Sequence, residues 1–114
     1  DYTGLTTVSG GTLELTNDGN TLTGGIVVNG RLVIGASGAA GGAGNTITTT
    51  GSVISFANGV NSATPININS NTTQLEVLAA DSATQSGVIS ETAGPRGFEK
   101  IGTGTLTLAA NNTY

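Results

Sequence analysis

The sequence predicts an all-β chain wound as a parallel β-helix of about five coils. Three observations carry this expectation. Glycine and β-branched residues fill the chain, and both disfavour helix. Short alternating apolar runs recur at close to 20 residues. Asparagine- and glycine-rich turns punctuate the runs.

Two series of runs interleave. The first is Thr12-Leu13-Glu14-Leu15, Leu32-Val33-Ile34, Val53-Ile54-Ser55-Phe56, Leu75-Glu76-Val77 and Phe98-Glu99-Lys100-Ile101. Its leading apolar residues, Leu13, Leu32, Val53, Leu75 and Phe98, stand 19, 21, 22 and 23 residues apart. The second is Thr6-Thr7-Val8, Ile26-Val27-Val28, Thr46-Ile47-Thr48, Ile66-Asn67-Ile68, Val88-Ile89-Ser90 and Leu106-Thr107-Leu108. Apolar residues two apart turn one face of a strand inward. Corners fall at Asn17-Asp18-Gly19-Asn20, Asn29-Gly30, Asn58-Gly59 and Gly102-Thr103-Gly104, where asparagine and glycine tolerate positive φ.

A shared period lets each strand pair in parallel with its equivalent one coil later. Inward aliphatics then stack into ladders, and outward threonines and asparagines into polar ones. An antiparallel β-sandwich also has short strands with turns every ~8–12 residues, but the fixed recurrence favours the coil. Glycine-rich residues 35–44 would suit a flexible linker in isolation. Flanked by aliphatic runs, they read as a loop bulging from one coil.

Composition narrows the function. Charged residues are 9% of the chain, so the surface is polar but nearly uncharged. A net charge of -4, with Arg31, Arg96 and Lys100 the only cations, argues against nucleic acid or anionic membrane as partner. The chain has no cysteine and therefore neither disulfides nor thiolate metal sites. It has no histidine, so no Ser-His-Asp or Cys-His nucleophile can form. No run approaches the ~18 apolar residues of a membrane span, and no signal-peptide pattern is present. For an exported protein, targeting and anchoring elements are expected outside these residues.

The carboxylates are Asp1, Glu14, Asp18, Glu76, Asp81, Glu91 and Glu99. A glycosidase needs two of them facing one cleft across roughly 5–10 Å. Glu14, Glu76 and Glu99 share a strand series, but inward aliphatics flank them, so they point to water. A polysaccharide-cleaving site would draw on Glu76 and Glu99 with Arg31 or Arg96. The expectation is instead no enzyme, no cofactor and no metal.

Gly41-Gly42-Ala43-Gly44-Asn45-Thr46-Ile47 approaches the calcium-binding glycine nonapeptide, but Thr46 stands where that motif needs aspartate. No helix pattern follows Gly102-Thr103-Gly104, which makes it a turn into a strand and not a phosphate loop. Alternating Thr46, Thr48, Thr50 and Thr103, Thr105, Thr107 read as ordinary polar ladders, since such runs do not repeat coil after coil as in an ice-binding array. Asn71-Thr72-Thr73 and Asn111-Asn112-Thr113 fit the glycosylation acceptor pattern by chance in a chain rich in these residues. Phe98 reads as core, and Arg96 as exposed on a turn.

The two ends carry halves of one motif. The tail reads Lys100-Ile101-Gly102-Thr103-Gly104-Thr105-Leu106-Thr107-Leu108, then Asn112-Thr113-Tyr114. The head reads Tyr2-Thr3-Gly4-Leu5-Thr6-Thr7-Val8, then Gly10-Gly11-Thr12-Leu13. Superposing Tyr114 on Tyr2 joins them into one continuous unit, so the two tyrosines are expected to pack alike one period apart. The chain reads as one period of a longer repeating protein.

This joined unit resembles the passenger-associated transport repeat of bacterial autotransporters, which use type V secretion. Gly87-Val88-Ile89-Ser90 is similar to the stretch that precedes the repeat; residues 16–86 match only in general character. The resemblance implies a right-handed parallel β-helix secreted through an outer-membrane β-barrel, the translocator of the parent chain. It implies a single structural segment stacked between adjacent passenger coils at the bacterial surface, within an adhesin or other virulence factor. The repeat would promote secretion and folding. A direct host-receptor, glycan or matrix-binding module is the alternative, and a polysaccharide-degrading β-helix a further one.

Overall fold

A computed structural model describes residues 2–114. Among these, every strand pair is parallel, and the strands form three sheets. The first sheet stacks β1 (Thr6–Val8), β3 (Ile26–Val28), β5 (Ile47–Thr49), β8 (Ile66–Ile68) and β11 (Ile89–Glu91). The second stacks β2 (Thr12–Leu15), β4 (Arg31–Ile34), β6 (Val53–Phe56), β9 (Thr73–Glu76) and β12 (Phe98–Ile101). The third holds β7 (Asn61–Ser62), β10 (Ser82–Gln85) and β13 (Thr105–Leu108). Each coil visits the first sheet, then the second, and from the third coil onward the third. The expected β-solenoid of about five coils is the fold.

Near-equal coil lengths place like residues over like. Thr6, Ile26, Ile47, Ile66 and Ile89 form one inward column. Leu13, Leu32, Ile54 and Leu75 form another, beside Leu15, Ile34 and Phe56. From the second coil to the fourth these side chains are buried. β-branched side chains fit such columns because their stiff χ1 suits a pleated, packed surface. Outward columns are polar but mixed: Thr7, Val27, Thr48, Asn67 and Ser90 share one, and Asn61, Thr84 and Thr107 another.

The structure corrects the sequence reading in four places. Two strand series become three sheets, because β7 and β10 carry almost no aliphatic signal. Their inner positions are Ser62, Ala83 and Gln85, all buried. Gln85 is tolerated there because its Nε2 donates to the Thr64 carbonyl at 2.8 Å and the Gly87 carbonyl at 3.1 Å. Leu106-Thr107-Leu108 pairs with β10, so it belongs to the third sheet and not to the series of Thr6-Thr7-Val8. In the second sheet, Val53 lies over Arg31 and faces outward, leaving Ile54 as the inward residue. Phe98 stands over Thr73, and Lys100 takes the place over Leu75.

The fourth correction concerns the glycine-rich segment, which does not bulge. Residues 35–46 form the third side of the second coil, with a short 3-10 turn at Gly42–Gly44. Ala39 and Ala40 are fully buried. A Cβ at Gly38 would lie 2.3 Å from the Asp18 carbonyl oxygen, and one at Gly41 2.2 Å from that of Leu22. Only glycine lets this segment rest so closely on the chain one turn below it. Hydrogen bonds tie it on both sides, Gly38 N–H to Asp18 Oδ1 at 2.7 Å and Asn61 N–H to Ser37 Oγ at 2.9 Å.

Candidate functional site

The tail motif is built around the turn from β12 to β13. Gly102 has φ 75°, and a Cβ there would lie 2.2 Å from the Val77 carbonyl oxygen. A Cβ at Gly104 would lie 2.2 Å from that of Leu78. These glycines let the last coil sit directly on the backbone of the fourth. Gly104 N–H donates to the Val77 carbonyl and Thr105 N–H to that of Asp81, both at 3.0 Å. Lys100 closes the turn: its Nζ donates to the carbonyls of Gly102 at 2.9 Å and Gly104 at 2.8 Å. Thr103 is exposed.

β13 then lays half-buried Leu106 and Leu108 over Ala83 and Gln85, with Thr105 and Thr107 outward over Ser82 and Thr84. Beyond it the chain re-enters the first side. Asn112 Oδ1 accepts the Ile89 N–H at 2.8 Å, and Thr113 N–H donates to the Ile89 carbonyl at 2.9 Å. Tyr114 ends on Phe98, ring centroids 5.2 Å apart and tilted 59°.

The head motif lies at the opposite end, on the first two sheets. Tyr2 bridges Leu22 in parallel, and Gly4 lies against its ring. Gly24 of the next coil presses on this segment, since a Cβ there would meet the Gly4 oxygen at 2.2 Å. Thr3 is exposed, Thr7 lies outward over Val27, and Val8 inward over Val28. Gly11, φ 64°, turns the chain so that Thr12 and Leu13 stand over Arg31 and Leu32. With strands ~4.8 Å apart, four coil steps put roughly 19 Å between head and tail strands. The motif residues therefore make two end faces, not one pocket. The two tyrosines have different surroundings: Tyr2 bridges Leu22 through its backbone with Gly4 against its ring, whereas the Tyr114 ring packs on Phe98.

The acids do not converge on a cleft. Asp1 lies outside the described residues. Glu14 and Glu76 share an outward column three coils apart, roughly 14 Å by strand spacing, and Glu99 is in the neighbouring column. Glu99 Oε1 accepts the Gln74 Nε2 hydrogen bond at 2.7 Å. Glu91 Oε2 accepts the Arg96 N–H at 2.5 Å, and the Arg96 side chain caps the Thr92 and Ala93 carbonyls, so Arg96 is half-buried and pins its turn. Asp81 contributes its backbone to the β13 ladder. Among the described residues, no group of three or more His, Cys, Asp or Glu is placed to hold a metal.

Glu76 is not a freely solvated strand residue. It is ion-paired with Arg31 two coils below, across Ser55. Burial pushes its carboxyl up, but hydrogen bonds from Arg31 and Ser55 and the guanidinium charge outweigh this and hold it below its ordinary value. A depressed folded-state value stabilises the fold above the unfolded-state value, and that contribution is lost as pH falls through the folded one. Glu76→Gln is thus expected to flatten the fall in urea midpoint on acidification below about pH 4.5, the ordinary carboxylate range. Parallel midpoint-against-pH curves for the two proteins would contradict it.

The likeness to known proteins falls on these two ends of the coil. The family model of the passenger-associated-transport-repeat matches residues 1–15, 10–34 and 98–114. The chain carries passenger-associated transport repeats. The matched segments cover a little under half of the chain, namely β1 to β4 at one end and β12 and β13 at the other. No curated protein and no solved structure matches it. The repeats and the β-solenoid fold fit an autotransporter passenger segment.

The match over residues 10–34 extends past the head motif into a stretch whose sequence resembles the repeat only in general character. The structure shows why it belongs. Leu22, Gly24, Val28, Leu32 and Ile34 follow Tyr2, Gly4, Val8, Leu13 and Leu15 one coil later. Leu22 replaces the tyrosine and Arg31 a threonine, which hides the copy from a motif reading. The steps of 20 and 19 residues were its available signal.

Proposed function

We propose that this chain is a structural segment of a secreted autotransporter passenger, and that its transport repeats promote export and folding at the bacterial surface. The observation that carries the reading is the tail turn. Gly102, Gly104 and Lys100 seat β13 on the completed fourth coil while its other edge stays open. Each finished coil then templates the next, and folding outside the cell draws the chain outward through the outer-membrane barrel. On this reading the partners are adjacent passenger coils and the translocating barrel. The segment lends length and rigidity to a surface adhesin and catalyses nothing.

The test is deletion of residues 100–114 in the parent protein. Surface display is expected to fall several-fold, with the displayed remainder more sensitive to protease. Unchanged display and unchanged protease resistance would overturn the reading.

A second reading, direct glycan binding, is favoured by a polar recess of about 230 Å³ lined by Asn71, Thr72, Thr73, Gln74 and Glu99. Its amides, hydroxyls and carboxylate match the hydrogen-bonding of sugar hydroxyls. Glycan-array binding that disappears in Gln74→Ala supports it; an array with no binding eliminates it.

A further inference from the structure

We propose that the inner corner where the third sheet turns into the first binds one internal water molecule, held between Ser62, Thr64 and Gln85. The site lies in the middle of the stack and is independent of the export reading. Ser62 and Thr64 close the third coil. Gln85 and Gly87 close the fourth above them, Gln85 over Ser62 in register and Gly87 so near that a Cβ there would lie 2.7 Å from the Thr64 carbonyl oxygen. The second coil lies beneath, where Asn61 N–H donates to Ser37 Oγ, and Leu108 of the fifth coil lies over Gln85.

Among the described residues, four buried side-chain polar atoms have no hydrogen-bond partner within the chain, and three of them belong to this corner: Ser62 Oγ, Thr64 Oγ1 and Gln85 Oε1. Ser62 and Thr64 are 0% exposed and Gln85 1%. Ser62 and Gln85 sit on neighbouring strands, about 4.8 Å apart. Gln85 Nε2 reaches the Thr64 carbonyl at 2.8 Å, which places the amide beside Thr64 as well. The same nitrogen bonds the Gly87 carbonyl at 3.1 Å, so the amide cannot turn over: Oε1 would then face two carbonyl oxygens. Oε1 is therefore fixed as an acceptor, with two hydroxyls nearby that do not reach it directly.

An oxygen buried in this way loses its hydration and gains nothing in return. One water answers all three. It donates to Gln85 Oε1 and to one hydroxyl and accepts from the other, and three bonds are the usual number for a buried water. Short side chains leave it room. Ala83 is the inward neighbour of Gln85 along β10, and Ser62 lies beneath, where other columns carry isoleucine or leucine. The bridge does for this corner what those columns do for the first two sheets. It joins consecutive coils, here the third to the fourth, where no aliphatic column runs.

A crystal structure of the chain tests this directly. A single solvent peak is expected within about 2.7–3.2 Å of Gln85 Oε1 and of both hydroxyl oxygens. In solution, oxygen-17 relaxation dispersion counts waters held longer than the protein tumbles. The double variant Ser62→Ala, Thr64→Val removes both hydroxyls and leaves the two carbonyls that Gln85 Nε2 bonds, so its dispersion amplitude should fall by the equivalent of one water. If that variant does not fold, Ser62→Ala alone, which removes a single hydroxyl, takes its place. A water left with two partners should then exchange about fivefold faster or more. Three outcomes would overturn the site. One is direct contact among the three oxygens with no solvent between them. Another is a peak ringed by oxygens at about 2.3–2.6 Å, the signature of a calcium ion. The last is equal dispersion, in amplitude and exchange rate, for wild type and variant.

Discussion

Replacing Gly104 with valine is expected to detach the last coil while leaving the first four folded. Its Cβ would stand 2.2 Å from the Leu78 carbonyl oxygen, 2.6 Å from Val77 Cγ1 and 2.7 Å from the Asp81 oxygen. Two of these are backbone atoms of the coil beneath and cannot move without breaking its own ladder. Overpacking in a fixed site costs about 1–3 kcal/mol, and backbone obstruction belongs at or above the top of that range. β13 gains its place through one neighbour only, β10, so it has little to offset such a cost. Hydrogen exchange is the direct measure. Amides of residues 98–114 should lose protection, while those of β3, β5 and β8 keep it. Gly10→Ala is the control, because nothing lies within 4 Å of a Cβ there. It should shift stability by no more than about 0.5 kcal/mol, the range of a neutral surface change. Native protection throughout the Gly104→Val protein would show that the turn is not held against the fourth coil.

That asymmetry also explains which parts of the fold a sequence reading reaches. Ile26, Ile47, Ile66 and Ile89 are visible in sequence because one residue type recurs at near-constant spacing, and a parallel stack converts spacing into contact. The third sheet is invisible for the opposite reason. Ser62, Ala83 and Gln85 line its interior, held by the backbone ladders of β7, β10 and β13 and by the bond from Gln85 to the Thr64 carbonyl, neither of which leaves a hydropathy pattern. Ala39 and Ala40 are hidden likewise. Alanine and glycine fill residues 35–46, and small side chains become core only where the backbone comes close, as Gly38 does to Asp18.

The repeat itself divides along the same line. Glycines that must lie on another coil's backbone, Gly24, Gly102 and Gly104, keep their identity, and those of the tail can be read directly. Side chains at the same motif place vary, because Leu22 packs against the core while Tyr2 is half exposed. The role of Lys100 was legible only as part of a string of letters. Its Nζ bonds the Gly102 and Gly104 carbonyls, a local closure that no periodicity predicts. The Arg31–Glu76 pair was missed because its partners sit 45 residues apart and meet only after two further coils are laid down.

Ile54→Asp should abolish cooperative folding, whereas Val53→Asp should leave it nearly intact. The two residues are adjacent, and a one-residue shift of register would exchange their fates. Ile54 is fully buried between Leu32 below and Leu75 above. A carboxylate there has no partner among its aliphatic neighbours, and an unpaired buried charge belongs to the class of substitutions costing more than about 4–5 kcal/mol. That is comparable to the whole stability of an ordinary domain, ~5–15 kcal/mol. The loss is not confined to one coil. In a stacked coil each unit is stable largely through its neighbours, so uncoupling the third coil deprives the second and fourth of one interface each. Val53 faces outward over Arg31, whose guanidinium is already paired with Glu76, so an aspartate there stays solvated without a new partner and should cost about 1 kcal/mol or less. Ile54→Val, which keeps the branched shape and removes one methylene, should cost about 0.5–1.5 kcal/mol. Urea titration followed by far-ultraviolet circular dichroism measures all three. Equal destabilisation by the two aspartates, or a folded Ile54→Asp protein, would mean that the second sheet does not carry the Leu13–Leu32–Ile54–Leu75 column on its inner face.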